Sequence, residues 1–176
     1  IPFHVTSADL QESDRVLVAW MTAFGAPASP QRFGGRGHFE GAMTGDFRSP
    51  RIEGVFTGER MRAFDVVWGA GRADIVVENR YLEIGSATVE QDGARIAADG
   101  RFSLGFPRRD GGEEWNARIR VSNRPIADLR HAFGIDDYDL DGRLTGEFHL
   151  FGDYKAPFGF GSMTIGTGGV EGPSIV

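Results

Sequence analysis

The sequence predicts a mainly β protein, built as an elongated, curled antiparallel sheet with short helices near residues 8–24 and 126–133. Glycine accounts for 26 of the 176 residues and phenylalanine for 14, a composition unlike that of a helical bundle. Between Gly34 and Gly54, glycines and large apolar residues alternate with polar residues, which is the period of a strand with one apolar face. Segments with similar alternation recur at intervals of roughly 8–12 residues, which is typical of an all-β meander, sandwich or barrel.

The first helix is predicted over residues 8–24. Its apolar residues at helical spacing are Leu10, Leu17, Met21 and Phe24. Ser7 is available as an N-cap and Gly25 as a stop. The run Arg15–Trp20 (RVLVAW) also fits a buried strand, so the strand alternative stays open at this point.

The next predicted strands are separated by turn residues. They are Arg51–Thr57, Met61–Trp68, Arg72–Glu78, Tyr81–Glu90, Ala94–Leu104 and Trp115–Val121. Asp92–Gly93 and Pro107–Gly112 are predicted turns. A second helix is predicted over Ile126–Phe133, between Pro125 and Gly134, and strands resume at Gly142–Gly152 and Phe158–Ile165.

The chain carries a diverged internal repeat. Both helices begin with Ala-Asp-Leu and end with Ala-Phe-Gly, and EGAMTGDF at Glu40–Phe47 corresponds to DGRLTGEF at Asp141–Phe148. Each copy is followed by a proline and, four residues later, a glycine. Shared order with variable spacing predicts one β-groove unit over residues 1–125 and the start of a second over 126–176, continuous with the first.

The charge and the motifs point away from nucleic acid and from enzymatic chemistry. A net charge of −6 argues against nucleic-acid binding, which requires clustered Lys and Arg. Asp137, Asp139 and Asp141 imitate half of an EF-hand loop, but Phe148 stands where the bidentate Glu is required. His38 and Glu40 form a pair without an indicated third metal ligand. We therefore expect no catalytic residues, no metal site and no cofactor.

A helix ending in Gly, followed by xGxxTGxF, Pro-x-x-x-Gly and many alternating strands, resembles the TamB and AsmA-like family of Gram-negative envelope proteins. The resemblance covers roughly Ala8 to Ile165. It implies a periplasmic segment of an inner-membrane-anchored protein, whose curled sheet carries phospholipid acyl chains along an apolar groove to support outer-membrane biogenesis. It also implies an Omp85-class outer-membrane barrel as a partner, contacted through parts of such a protein that nothing in this sequence matches.

The residues predicted to line the groove are the large apolar residues of the alternating strands. They are Phe39, Met43, Phe47, Phe64, Val66, Trp68, Ile75, Val77, Ile96, Phe102, Leu104, Trp115, Ile119, Val121, Leu144 and Phe148. Glycines such as Gly37, Gly41, Gly45, Gly142 and Gly146 are expected to leave space for lipid beside them. The same residues would also form the core of a closed β-sandwich, a scaffold or interaction module in envelope assembly, so this alternative stays open.

Overall fold

The computed structural model of the chain describes residues 1–23, 33–46, 49–105, 111–133, 137, 139, 141–166 and 174–175. It contains one ten-stranded sheet in which the strands follow the order of the chain. The strands are β1 (Pro2–Ser7), β2 (Gly34–Asp46), β3 (Ser49–Ala63), β4 (Val66–Glu78), β5 (Tyr81–Gln91), β6 (Ala94–Ser103), β7 (Trp115–Pro125), β8 (Arg143–Asp153), β9 (Ala156–Gly166) and β10 (Ser174–Ile175). All neighbours are antiparallel. The predicted fold class, an elongated and curled antiparallel sheet with a few short helices, is confirmed.

Two helices interrupt the meander. Helix α1 (Leu10–Ala23) connects β1 to β2, and α2 (Ile126–Phe133) connects β7 to β8. The strand alternative for Arg15–Trp20 is thus wrong. Asp9, not Ser7, caps α1, because its Oδ1 accepts a hydrogen bond of 2.9 Å from the Gln11 amide.

Both helices lie at the same end of the strands, in connections that lead from an odd-numbered strand to an even-numbered one. This end of the sheet, which we call the helix-bearing rim, also carries the turns at Phe64–Asp65 and Asp92–Gly93. The turns at Asn79–Arg80 and Tyr154–Lys155 lie at the opposite rim. Strands therefore cross the molecule from one rim to the other.

The prediction of one strand over Met61–Trp68 is wrong. Phe64 and Asp65 have φ values of 54° and 61°, and they form a two-residue turn that joins β3 to β4. Positive φ at both central residues matches the right-handed twist of a hairpin. Sequence reasoning missed this turn because the usual Asn-Gly or Asp-Gly signal is absent. Gly69, the residue after that predicted strand, lies inside β4 with φ 102°.

The strand–helix–hairpin order occurs twice, as β1–α1–β2–β3 and β7–α2–β8–β9. Ser7 lies opposite Gly37, and the Ile126 amide donates to the Gly142 carbonyl. The order of the elements is thus repeated, and β8 follows α2 as β2 follows α1.

Candidate functional site: an apolar sheet face

One face of the sheet is apolar from the first strand to the ninth. Because paired residues share a face, the register defines rows that run across the strands. One row, here called the alanine row, contains only apolar residues and glycine. Its members are Val5, Phe39, Phe56, Ala73, Ala87, Ala98, Ile119, Phe148 and Gly161.

The other rows of this apolar face have the same character. The row nearer the opposite rim contains Phe3, Gly41, Gly54, Ile75, Ile84, Gly100, Ala117, Leu150 and Gly159, and the next contains Met43, Ile52, Val77, Leu82, Phe102, Trp115, Gly152 and Pro157. At about 4.8 Å per strand, a row from β1 to β9 is about 38 Å long. The apolar surface is therefore continuous from β1 to β9.

The second face is polar and carries cross-strand ion pairs. Arg51 pairs with Glu78 at 2.8 Å, Arg95 with Glu90 at 3.4 Å, and Arg120 with Glu147 at 3.3 Å. These side chains are exposed, so solvent screens the pairs and each contributes little to stability. Arg51 donates hydrogen bonds to the Glu53 carboxylate, and these bonds together with the negative charge of Glu78 raise the pKa of Arg51.

Most of the apolar face is only half-buried. Among the described residues, the fully buried apolar side chains are Val66, Ala94, Ala117, Val121, Ile126 and Leu144. Val121, Ile126 and Leu144 form a small core beneath α2, with Leu129, Ile165 and Phe148 packed against it. The described strands all belong to one sheet, and the side chains of its other apolar rows, such as Ile75, Ile84 and Phe102, are only half-buried.

The structure places most predicted lining residues on this face. Phe39, Met43, Ile75, Val77, Ile96, Phe102, Trp115, Ile119, Val121, Leu144 and Phe148 occupy its rows. Val66 is buried near the helix-bearing rim, and Trp68 lies there beneath Arg124. Phe47 lies outside the described residues.

Two predicted lining residues do not belong to the face. Phe64 lies in the β3–β4 turn with an exposed fraction of 54%. Leu104 follows the last residue of β6 and is 53% exposed. Both residues fit the alternating pattern of the sequence. However, β6 ends just before Leu104, and the chain reverses direction at Phe64.

The expected space beside the glycines is filled. The Phe39 ring lies over Gly41 and Gly54, so that a Cβ on Gly54 would stand 2.7 Å from its Cζ atom. Met61 covers Gly58 and Gly71, and Phe148 covers Gly161. The glycines thus let large side chains lie flat on the sheet, in the manner of aromatic rescue.

On the apolar face, open space is found over the alanine row. Ala73, Ala87 and Ala98 form the floor of a cavity of about 160 Å³, with Phe56 and Met61 among its walls. The cavity is open to solvent, and its volume is similar to that of an enclosed apolar protein cavity that holds benzene. Sequence reasoning passed over these alanines because small side chains are weak signals, and because register shifts in β5 break the alternation.

Helix α2 and Arg124 close over part of the apolar face. Arg124, only 1% exposed, donates to the Val67 carbonyl at 2.8 Å and forms an ion pair with Asp128 at 2.9 Å. Its guanidinium lies 4.8 Å from the centre of the Trp68 ring. A flat sheet would separate β7 from β4 by about 14 Å, so this contact reflects the curl of the sheet at the helix-bearing rim.

At the opposite rim, a second cluster of contacts links the β8–β9 turn to the end of β6 and the start of β7. The Tyr154 hydroxyl donates to the Ser103 carbonyl at 2.9 Å, and the Tyr154 amide donates to the Glu114 carboxylate at 2.8 Å. The Tyr154 ring stacks on Trp115 with centroids 6.2 Å apart. Burial, followed by the negative charge of Glu114, raises the pKa of Tyr154.

The described residues contain no group of three or more His, Asp or Glu side chains that could hold a metal ion. Asp137 and Asp139 are exposed, and Asp141 accepts a 2.7 Å hydrogen bond from the Gly142 amide. His38 bonds to the Thr6 hydroxyl at 2.9 Å.

Comparison with known proteins adds no family. No protein-family model, no curated protein and no solved structure matches this chain. Within the described residues, none of the helices has both the length and the apolar character that crossing a membrane requires. The class of protein is therefore defined by its architecture, a single-layer antiparallel sheet with one continuous apolar face.

Proposed function

We propose that this chain is a non-enzymatic segment that carries phospholipid acyl chains along the apolar face of its sheet. The continuous apolar rows, left without a covering sheet among the described strands, are the observation that carries the proposal. Transfer along such a surface requires no chemistry, because an acyl chain exchanges water contact for protein contact worth about 0.8 kcal/mol per CH₂.

The rows also favour movement over fixed binding. Successive strands present apolar side chains at spacings of about 4.8 Å, and the flat packing of Phe39 over Gly41 and Gly54 smooths the surface. The free energy of an acyl chain then changes little from strand to strand.

The cellular setting is proposed from the resemblance of the sequence motifs. We infer that the chain is the periplasmic part of an inner-membrane-anchored protein and that its acyl cargo passes between the inner and outer membranes. An Omp85-class barrel as partner belongs to the same proposal.

Site-specific crosslinking tests the acyl track. A photoreactive residue replacing Phe102 on the apolar face is expected to crosslink phospholipid during expression in a Gram-negative host. The matched probe replaces Arg101, the preceding residue of β6, which is exposed on the polar face. Mass spectrometry of the purified protein identifies the adducts, and lipid adducts confined to Arg101 would rule the track out.

A second candidate, an interaction module, rests on the outer surface of β9. Phe158 and Phe160 are each 67% exposed on the polar face, beside Phe151 and His149. Residues 156–162 of β9 pair with no strand beyond β8 in the described part of the chain. An open edge with projecting aromatic residues suits the addition of a partner's strand.

This candidate differs from the predicted closed sandwich, because the strands make one sheet. It predicts that Phe158→Ser with Phe160→Ser abolishes capture of a specific protein partner and leaves lipid adducts at residue 102 unchanged. Loss of the lipid adducts in this variant, with partner capture intact, would contradict it.

A further inference from the structure

The two ends of the apolar face differ in the side chains that lie over them. Beside the alanine row, on its helix-bearing side, the register defines a further row of the same face. This row, here called the wall row, passes through Gly37, Gly58, Gly71, Ile96 and Val121. Side chains from outside the row cover it on both halves of the sheet.

Leu10 and Met61 cover the wall row on β2, β3 and β4. A Cβ on Gly37 would stand 2.9 Å from the Cδ2 atom of Leu10, the first residue of α1. A Cβ on Gly58 or on Gly71 would stand 2.5 Å from the Met61 sulfur. The helix-bearing end of the apolar face is therefore already occupied on these three strands.

Helix α2 and Arg124 continue this cover across the later strands. Ile126 of α2 packs against Val121 of β7 and Leu144 of β8. Arg124 extends the cover to β4 through its hydrogen bond of 2.8 Å to the Val67 carbonyl. We call the line formed by Leu10, Met61, Arg124 and Ile126 the rim wall. It follows the helix-bearing rim from β2 to β8.

The opposite rim carries no comparable wall in the part of the chain that the structure describes. Its strands are joined there by two-residue turns, Asn79–Arg80 and Tyr154–Lys155, and neither α1 nor α2 lies at this rim. Tyr154 covers Trp115 locally. In the nearest apolar row, Val77 and Leu82 remain half-buried. The apolar face is thus closed at one rim and accessible at the other.

The distance from the open rim to the rim wall matches the length of an acyl chain. On β4, Ala73 lies about 13 Å from Val77 and Gly71 lies about 20 Å from it, at about 3.3 Å per residue. The cavity is lined by Ala73, Gly71 and Met61, so it lies between these two distances, at the foot of the wall. One leaflet of a bilayer gives an acyl chain a depth of about 15 Å, half of its hydrocarbon core. A chain that crosses the face from the open rim therefore ends in the cavity.

We propose that a bound acyl chain lies along the strands, with its methyl end in the cavity at the rim wall and its headgroup at the opposite rim. This inference rests on the proposed function and adds an orientation of the cargo to it. At the open rim the headgroup stays hydrated, whereas at the wall it would lose water among packed apolar side chains, which is costly. Movement from strand to strand then carries the headgroup along one rim only.

Two photoreactive phospholipids test the orientation. Both are phosphatidylethanolamines of equal chain length, and a diazirine is placed near the methyl end of an acyl chain in one and on the headgroup amine in the other. Each is photolysed with the full chain of 176 residues, and tandem mass spectrometry locates the adducts. Methyl-end adducts are expected at Met61 and the residues around the cavity, and headgroup adducts at the turns Asn79–Arg80 and Tyr154–Lys155.

A matched pair of variants tests the part played by the cavity. Ala98→Phe fills the cavity, whereas Ala97→Phe places the same ring on the polar face of the same strand. With subsaturating probe, Ala98→Phe is expected to reduce methyl-end adducts at Met61 about tenfold, the equivalent of about two methylene contacts. Ala97→Phe should leave them unchanged. Circular dichroism establishes that each variant folds, and Ala98→Leu replaces Ala98→Phe if that protein does not.

The possible results separate this inference from the proposed function. The same distribution of adducts from both probes, or methyl-end adducts concentrated at the opposite rim, overturns the orientation and leaves the acyl track standing. An equal loss of adducts in the Ala98 and Ala97 variants overturns the assignment of the methyl end to the cavity. Absence of adducts from both probes on the apolar face contradicts the proposed function itself.

Discussion

The region beneath α2 and the middle of the sheet use the same apolar residue types in opposite ways. Under α2, Val121, Ile126 and Leu144 are 5–6% exposed and form a small core. From β3 to β6, side chains such as Ile75 and Ile84 remain half-buried, and the alanine row carries an open cavity. Helix cover turns an apolar row into a core, and its absence leaves a surface. Stability and ligand contact are thus assigned to different stretches of one continuous sheet.

Truncation of one apolar side chain in each region gives the strongest test that stability depends mainly on the region beneath α2. Leu144→Ala is expected to reduce the free energy of unfolding by about 2–4 kcal/mol, because it leaves a cavity under α2. Ile84→Ala, on the half-buried stretch, is expected to cost roughly 1 kcal/mol. Urea unfolding followed by circular dichroism measures both, and equal losses would contradict the division.

The packing of rings over glycines provides the next largest effect. Gly54→Ala is expected to cost about 1–3 kcal/mol, because its Cβ would collide with the backbone of β2 at Glu40 and Gly41 and with the Phe39 ring that lies over it. Gly85→Ala is the control, since a Cβ there meets no atom within 4 Å. We expect that variant to stay within about 0.5 kcal/mol of the parent. A similar loss at both positions, measured by urea unfolding, would show that the rings do not depend on the glycines.

The smallest loss of stability is expected from a substitution at Tyr154, at the opposite rim of the β7–β8 region. Tyr154→Phe keeps the ring stack on Trp115 but loses the hydrogen bond to Ser103, at an expected cost of about 0.5–1.5 kcal/mol. Because the pKa of Tyr154 is raised in the folded state, its contribution is full below the ordinary tyrosine pKa of about 10 and falls as the pH rises through the folded value.

Thermal unfolding measured at increasing alkaline pH tests whether the contribution of Tyr154 to stability falls as the pH rises. The parent should lose more stability than Tyr154→Phe above about pH 10. A parallel decline in the two proteins would place the alkaline sensitivity at other groups.

The sequence contained enough information for the sheet, both helices and most of the apolar face. Period-two alternation in β2, β6 and β7 survives in the structure because those strands carry few irregularities on that face. The alternation of Phe3 and Val5 with His4 and Thr6 also indicated β1, which sequence reasoning passed over.

The remaining features depend on backbone irregularities that composition does not reveal. The turn at Phe64–Asp65 lacks glycine, so the reversal of the chain there, and with it the loss of Phe64 from the face, gave no signal. The bulge before Arg124 places a guanidinium among apolar residues, against the pattern of the strand. The cavity over Ala73, Ala87 and Ala98 arises from the register of four strands, which no local pattern contains.

The link from Arg124 to Val67 has a thermodynamic consequence for any ligand of the apolar face. Because a buried side chain bonded to β4 and to Asp128 holds β7 in place, the curvature of the helix-bearing rim exists before a ligand arrives. Binding then requires little ordering of the protein. The conformational entropy that a flexible surface would lose on binding is lost here during folding. A weakly held acyl chain can therefore enter and leave without the sheet opening or closing.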